Sequence, residues 1–139
     1  LFMSGVVNSG GSLNHLMSGI VRSALELGLV DQYLDYLHEL YSARLGRMDA
    51  LIRKHFPSSI AYSVPSGGYF FWLKLPDSLL ATDPLEAAKK HNIRFHSGNS
   101  FSADNAFPHH IRLAFSFYGD EITEGGMSQL GTILHQLIN

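Results

Sequence analysis

The stretch Val64-Pro65-Ser66-Gly67-Gly68-Tyr69-Phe70-Phe71-Trp72-Leu73 decides how the rest of the chain is read. Pro65 has no amide hydrogen to give a ladder, and Gly67 and Gly68 let the backbone turn or bulge, so a strand is expected to begin after them. From Gly68 to Leu75 the side chains alternate. Tyr69, Phe71, Leu73 and Leu75 take one face, and Phe70, Trp72 and Lys74 take the other. Both faces are mostly apolar, which predicts a strand placed centrally in its sheet.

Upstream, Ile60 to Val64 is a second short β-like segment, and Pro57 closes a long periodic run before it. That run carries Val30, Tyr33, Leu34, Leu37, Tyr41, Leu45, Met48, Ile52 and Phe56 at helical spacing. A helix of this length extends about 40 Å, more than one small domain needs, so it is expected to project toward another domain. Gly46 and the aromatic residues in the seam argue against a coiled coil. Further upstream, Leu13, Leu16, Met17, Ile20, Val21, Ala24 and Leu25 predict a shorter helix that Gly28 stops. Asn8 to Ser12 reads as its entry loop, with Ser12 as cap. Amides presented there to an anion such as phosphate are the second reading of the same residues.

Downstream, Asp83-Pro84-Leu85-Glu86 predicts a helix start with Asp83 as cap, Pro84 at the first turn and Glu86 reaching back, ending near Asn92. Ile93 to His96 reads as a strand, Ser97 to Pro108 as a loop and Ile111 to Tyr118 as a strand. A final amphipathic helix capped by Asp120 follows. Paired strands with helices between them predict an α/β chain of the α+β sandwich kind, a mixed or antiparallel sheet covered by helices on one side.

Composition narrows the functions. The chain has 139 residues, 45% apolar and 16% charged, which suits one globular core. Its net charge is −2 and its Lys and Arg residues are scattered, so the basic stripe of a nucleic-acid surface is not there. The longest strongly apolar run, Tyr69 to Leu73, falls far short of the roughly 20 residues of a membrane helix. Cysteine is absent, which fits a reducing compartment. A cytoplasmic location is expected, with a mitochondrial one also open. Eight histidines raise the question of a metal, but the one adjacent pair, His109-His110, points to opposite faces of an extended segment, so loop or surface histidines are expected. Neither a nucleophile elbow nor a phosphate-binding glycine signature is present. The first residue is Leu1 rather than Met, which suggests residues upstream of it.

Three features occur in an order that resembles the C-terminal third of class I/II, fold type I, pyridoxal-phosphate-dependent aminotransferases. The stretch Val64 to Leu73 is similar to that family's proline, double-glycine, aromatic strand. Ser97-Gly98-Asn99-Ser100-Phe101 is similar to its glycine loop. Ile111-Arg112-Leu113-Ala114-Phe115-Ser116 is similar to the strand whose arginine holds the substrate carboxylate. The long helix from Leu29 to Phe56 resembles the one that joins the family's two domains, and the branch handling 2-aminoadipate and kynurenine is the nearest. The resemblance implies a division into 1–28, a loop and helix from the cofactor-domain side, 29–56, a connecting helix, and 57–139, the small domain.

It also implies pyridoxal 5'-phosphate in a full-length parent, amino-acid and 2-oxo-acid substrates, a homo-oligomer, and Arg112 as the substrate-binding residue. A planar guanidinium suits this task because it gives a carboxylate two parallel hydrogen bonds. Asn99 reads as a turn cap before a ligand contact. The family's Schiff-base lysine has no counterpart: Lys54, Lys74, Lys89 and Lys90 lie outside the Ser-x-x-Lys context. The chain alone is therefore expected to be inactive and to hold no cofactor tightly. Two other functions remain open, the ligand-sensing half of an aminotransferase-like transcription regulator and a non-catalytic module. Either way, Leu16, Ile20, Leu34, Leu37 and Tyr41 are expected to form an apolar patch that drives self-association.

Overall fold

In the computed structural model, which describes Asn14–Ile138, four helices and four strands follow one another as α1 (His15–Glu26), α2 (Leu29–His55), β1 (Ala61–Tyr62), β2 (Phe70–Lys74), α3 (Thr82–Lys89), β3 (His96–Ser97), β4 (His110–Ala114) and α4 (Asp120–Ile138). A 3₁₀ turn, Gly98–Phe101, opens the loop between β3 and β4. The chain divides into two compact units, Leu1–Leu40 and Tyr41–Asn139, with the boundary inside α2.

In the first unit α1 begins at Asn14, whose side chain accepts from the Met17 amide at 3.1 Å, so the observed cap is Asn14. Ser12 and the Asn8 to Ser12 loop lie outside the described residues. Gly28, at φ +68°, takes the left-handed conformation that ends the helix at no steric cost. None of the residues of α1 is buried, although it carries Leu16, Met17, Ile20, Val21 and Leu25.

The second unit is built on one four-stranded antiparallel sheet in the order β1-β2-β4-β3. Strand β2 is interior, as its apolar composition predicts. Only one of its faces is sealed, however. Phe71, Leu73 and Leu75 are buried, while Phe70 and Lys74 are exposed and Trp72 is half-buried. Every helix of this unit packs on the same side of the sheet, as expected from the order of elements. Met48, Leu51 and Ile52 of α2, Ala88 of α3, and Met127, Leu130, Ile133 and Leu134 of α4 join Phe71, Leu73, Ile111 and Leu113 in one core. Each large apolar side chain removed from water contributes about 1.5–3 kcal/mol, so this layer carries most of the unit's stability.

Close approach is needed where α2 meets α4. A Cβ at Gly131 would collide with the carbonyl oxygen and Cβ of His55, so only glycine lets these backbones come together. Arg47 donates to Asp120 and, at 3.3 Å, to Glu124, and Lys54 lies 3.5 Å from Glu124. These bridges are largely solvated and add little individually.

Several element ends differ from the sequence expectation for local reasons. Helix α3 starts at Thr82, and Ala81 precedes it without a side-chain cap, because the Ala81 amide donates to Pro108 O at 2.8 Å and fixes the entry from outside the helix. Asp83 therefore lies within the first turn, and Glu86 pairs with Lys89 at 2.5 Å instead of reaching back. The same helix ends in a reciprocal pair of bonds, Ile93 N to Ala88 O and Asn92 N to Lys89 O, around Asn92 at φ 58°. Asp120 is the first residue of α4 and not its cap. Strand β4 stops at Ala114, so Phe117, expected on its buried face, is 79% exposed.

Strand β1 is tied to α2 by the Tyr62 hydroxyl, which donates to Asp49 Oδ1 at 2.7 Å. Burial first, and then the Asp49 carboxylate, pushes the Tyr62 phenol up to about 12, while the hydrogen bond from Arg53 holds Asp49 below its ordinary value. A raised phenol pKa means that the contribution is full below the unfolded value of about 10 and is lost as pH climbs toward 12. Equilibrium unfolding between pH 8 and pH 12 is expected to show this loss, and Tyr62→Phe should remove that increment of the alkaline dependence while costing about 1–2 kcal/mol near neutrality. An alkaline profile identical in both proteins would refute the linkage.

Candidate functional site

The face of the sheet turned away from the core is where polar chemistry collects. Antiparallel register sets Trp72 opposite Arg112 on one side and His96 opposite Arg112 on the other, so Arg112 stands mid-sheet with both neighbours on its own face. The neighbour on its own strand face, Ala114, is small, but the cross-strand neighbours are aromatic. Space for a ligand lies toward Ala114, in a cleft of about 580 Å³ that Phe70, Lys89, Arg94, His96 and Arg112 also line.

Two rings hold the guanidinium of Arg112. Its central carbon lies 3.9 Å from the Phe70 ring centroid and 4.0 Å from that of Phe101. Stacking of this kind is electrostatically favourable and fixes the guanidinium plane. With the faces occupied by rings, hydrogen bonds are left to the in-plane edge. Arg112 Nε is buried and, among the described residues, has no hydrogen-bond partner. A buried donor left unpaired costs on the order of 1–3 kcal/mol, so an acceptor arriving in that plane recovers free energy already spent in folding.

The loop after β3 puts Phe101 in place. A Cβ at Gly98 would come within 2.6 Å of Phe107 O and 2.8 Å of His110 Cβ, so glycine alone allows the loop to lie this close to β4. Asn99 Oδ1 accepts from the Phe107 amide at 3.2 Å, the bracing role expected of it, and Ser102 Oγ accepts from the Ala106 amide at 3.0 Å. Phe101 then meets Trp72 at 6.0 Å and His96 at 5.7 Å, both edge to face. His110 stacks on Trp72 at 5.5 Å, and burial, aided by Lys74 and His109, depresses its pKa. His109 Nδ1 lies 2.9 Å from Leu79 O. Both histidines are half-buried, His109 in the loop ahead of β4, as expected, and His110 in the strand itself. Among the described residues no three His, Asp or Glu side chains group as metal ligands would.

Sequence reasoning singled out Arg112, and not the Phe70, Phe101 and Arg94 that lie beside it or line the same cleft. The first two were legible only as members of motifs. Arg94 carries no local signal beyond its period-two relation to His96.

No family model matches the chain. It is 30% identical over 119 residues to an uncharacterized aminotransferase of Saccharolobus solfataricus, covering 85% of this chain and 30% of that protein. An α-aminoadipate aminotransferase of Thermus thermophilus, solved with N-(5'-phosphopyridoxyl)-L-leucine, superposes with a TM-score of 0.78 at 26% identity over 85% of this chain and 30% of its own. Its relatives and structural neighbours include pyridoxal-phosphate-dependent aminotransferases. The chain spans about 30% of the length of those aminotransferase relatives. An uncharacterized HTH-type transcriptional regulator of Escherichia coli is also similar, at 28% identity over 87% of this chain and 28% of that protein.

Lys54, Lys74 and Lys89 are each within ion-pair distance of a carboxylate, of Glu124, Asp77 and Glu86 respectively, and Lys90 is exposed at the end of α3. Among the four lysines Lys89 alone lines the cleft, and its Nζ lies 2.5 Å from Glu86. Among the described residues no helix is long and apolar enough to cross a membrane.

Proposed function

We propose that the chain is the substrate-carboxylate-binding part of a transaminase that moves an amino group between an amino acid and a 2-oxo acid, with Arg112 holding the α-carboxylate. The observation that carries this reading is the clamped guanidinium with its buried, unpaired Nε. A guanidinium fixed between two rings loses little further freedom on binding, so its in-plane pair of hydrogen bonds can set the orientation of an amino acid's Cα–H bond. Pyridoxal phosphate and its lysine come from the remainder of a longer protein, and this chain alone is inactive. Its division into 1–28, 29–56 and 57–139 would then separate residues of the cofactor-domain side, the connecting helix and the small domain.

The test is a titration of the nitrogen-15-labelled chain with 2-oxobutyrate while the Arg112 Nε–H resonance is followed. A saturable downfield shift of that resonance is expected, with no binding by Arg112→Ala. Retention of the affinity in Arg112→Ala would refute the assignment.

Homology to the regulator favours a second reading, in which the same pocket senses an amino acid without turnover. A winged helix encoded upstream would decide for it. Under either reading the apolar residues of α1 rest on another surface. Leu16 is 70% exposed and Leu27 also 70%, with Met17, Ile20, Val21 and Leu25 above half. Leu37 and Tyr41, expected in the same patch, are half-buried, and Tyr41 packs edge to face on Tyr69 at 5.0 Å. The patch is therefore narrower than the sequence suggested, but exposed apolar side chains repeated along one helix exceed what a soluble monomer usually tolerates. The isolated chain is expected to self-associate, most simply as a two-fold dimer. Sedimentation at micromolar concentration should show it, and Leu16→Glu with Ile20→Glu should return a monomer. A monomeric unsubstituted chain would contradict this.

A further inference from the structure

The loop that carries Phe101 rests on one histidine. His110 stacks on Trp72 with ring centroids 5.5 Å apart, and Phe107, inside the loop, meets Trp72 at 5.5 Å and His110 at 5.4 Å, edge to face both times. The His110 amide donates to Phe107 O at 3.2 Å, and a Cβ at Gly98 would come within 2.8 Å of His110 Cβ. Both ends of the loop therefore lie against this residue.

His110 Nδ1 is buried and, among the described residues, has no hydrogen-bond partner. A neutral imidazole can leave that nitrogen bare and carry its proton on Nε2. Once the ring is protonated, Nδ1 becomes a donor closed off from water with no acceptor, which is strongly unfavourable in a packed site. Lys74 stands directly across the strand pair from His110. Lys74 and His109 oppose a further positive charge on the ring, while Asp77, paired with Lys74 at 3.1 Å, favours one. The Trp72 face also favours a cation. His96 of β3 and Arg112 of β4 bring no anion, and Asp104 of the loop is taken up by the Ser102 hydroxyl. Burial and the two basic neighbours outweigh Asp77, so the His110 pKa lies below its ordinary value.

We propose that His110 is an acid-sensitive latch on the 98–108 loop: its neutral ring holds the loop down on Trp72, and a proton on it releases the loop and with it Phe101 from the Arg112 guanidinium. To take the proton the ring turns out toward water, and Phe107 and Phe101, which lean on the same Trp72, lose their support. The latch does not depend on what Arg112 binds. Because the closed loop holds the lower pKa, it is fully favoured above the open-state value of about 6.5 and weakens as pH falls below it, by up to about tenfold per unit.

Trp72 is the one tryptophan of the chain, so its fluorescence reports the stack directly. Titration of the nitrogen-15-labelled chain from about pH 7.5 to about pH 4.5 is expected to shift the emission to the red, with a midpoint below about 6.5. The exchange protection of the Phe107 amide, which donates to Asn99 Oδ1, should fall at least about tenfold over the same range, while that of the Leu113 amide in the sheet holds. His110→Phe keeps a ring on Trp72 but cannot titrate, and should show neither change. Lys74→Gln removes the charge opposite His110 from an exposed position and should move the midpoint upward. Emission and protection that stay flat in the unsubstituted chain, changes that persist in His110→Phe, or a midpoint unmoved by Lys74→Gln would overturn the latch. So would loss of protection at Leu113 together with Phe107, which would mean that the whole unit opens in acid. An Arg112 Nε–H resonance that does not follow the same midpoint would overturn the release of Phe101.

Discussion

Replacing Arg112 by alanine in the full-length protein is expected to lower kcat/KM for amino-acid substrates by roughly 30- to 1,000-fold, about 2–4 kcal/mol of transition-state stabilisation. The magnitude follows from what the substitution removes. A guanidinium stacked on Phe70 and Phe101 offers a planar, charge-assisted pair of hydrogen bonds, and each such contact to a charged group is worth about 1.5–3 kcal/mol. A carboxylate that enters the cleft without it is desolvated and left with Arg94 alone as an unpaired cation. The loss should fall on kcat as well as KM, because a misplaced carboxylate also misdirects the reacting bond. Arg112→Lys is expected to recover only a small part, since an ammonium cannot stack between two rings or donate two parallel bonds. Steady-state kinetics with cofactor content measured alongside is the direct check. Cofactor content is expected not to change, and turnover equal to the unsubstituted protein would remove Arg112 from the site.

The second large effect is on stability. Phe71→Ala is expected to cost about 3–5 kcal/mol in denaturant-induced unfolding, because Phe71 is fully buried at the centre of the sheet. Its ring meets Tyr62 at 5.9 Å and Phe115 at 5.8 Å, both edge to face, so alanine leaves a cavity that neither strand partner can close. Phe70→Ala, one residue away, is the informative contrast. Phe70 lies on the open face at 39% exposure, and its loss should cost under about 1 kcal/mol of stability while freeing one face of the Arg112 guanidinium. Comparable destabilisation by the two substitutions would mean that both faces of β2 are structural, contrary to the one-sided core.

Much of this arrangement was legible in the chain itself. The order of elements follows from breakers and periods: Gly28 and Pro57 bound the long helix, and Pro65 with Gly68 starts the interior strand. Alternation along Ile111 to Ala114 puts Arg112 on the side opposite the buried Ile111 and Leu113. These are local signals, and side-chain direction in a strand or helix depends on little else. Element ends were less legible. Asp83 and Asp120 were read as caps, but contacts from elsewhere set the ends, the Ala81 amide bonding to Pro108 O at 2.8 Å and Arg47 drawing on Asp120.

The tertiary structure alone decided which groups surround the arginine. Phe70 and Phe101 are far apart in sequence, and they meet across the Arg112 plane because β2 pairs with β4 while the Gly98 loop folds over the same face. Arg94 reaches the cleft through the pairing of β3 with β4, a register that no property of Ile93 to His96 specifies by itself. Helices cover one face of β2 only, and the aromatic side chain of Phe70 on the other face lines a cleft instead of a core. The physical reason is the same in each case: periodicity fixes where a side chain points, whereas long-range strand pairing and loop packing fix what it meets.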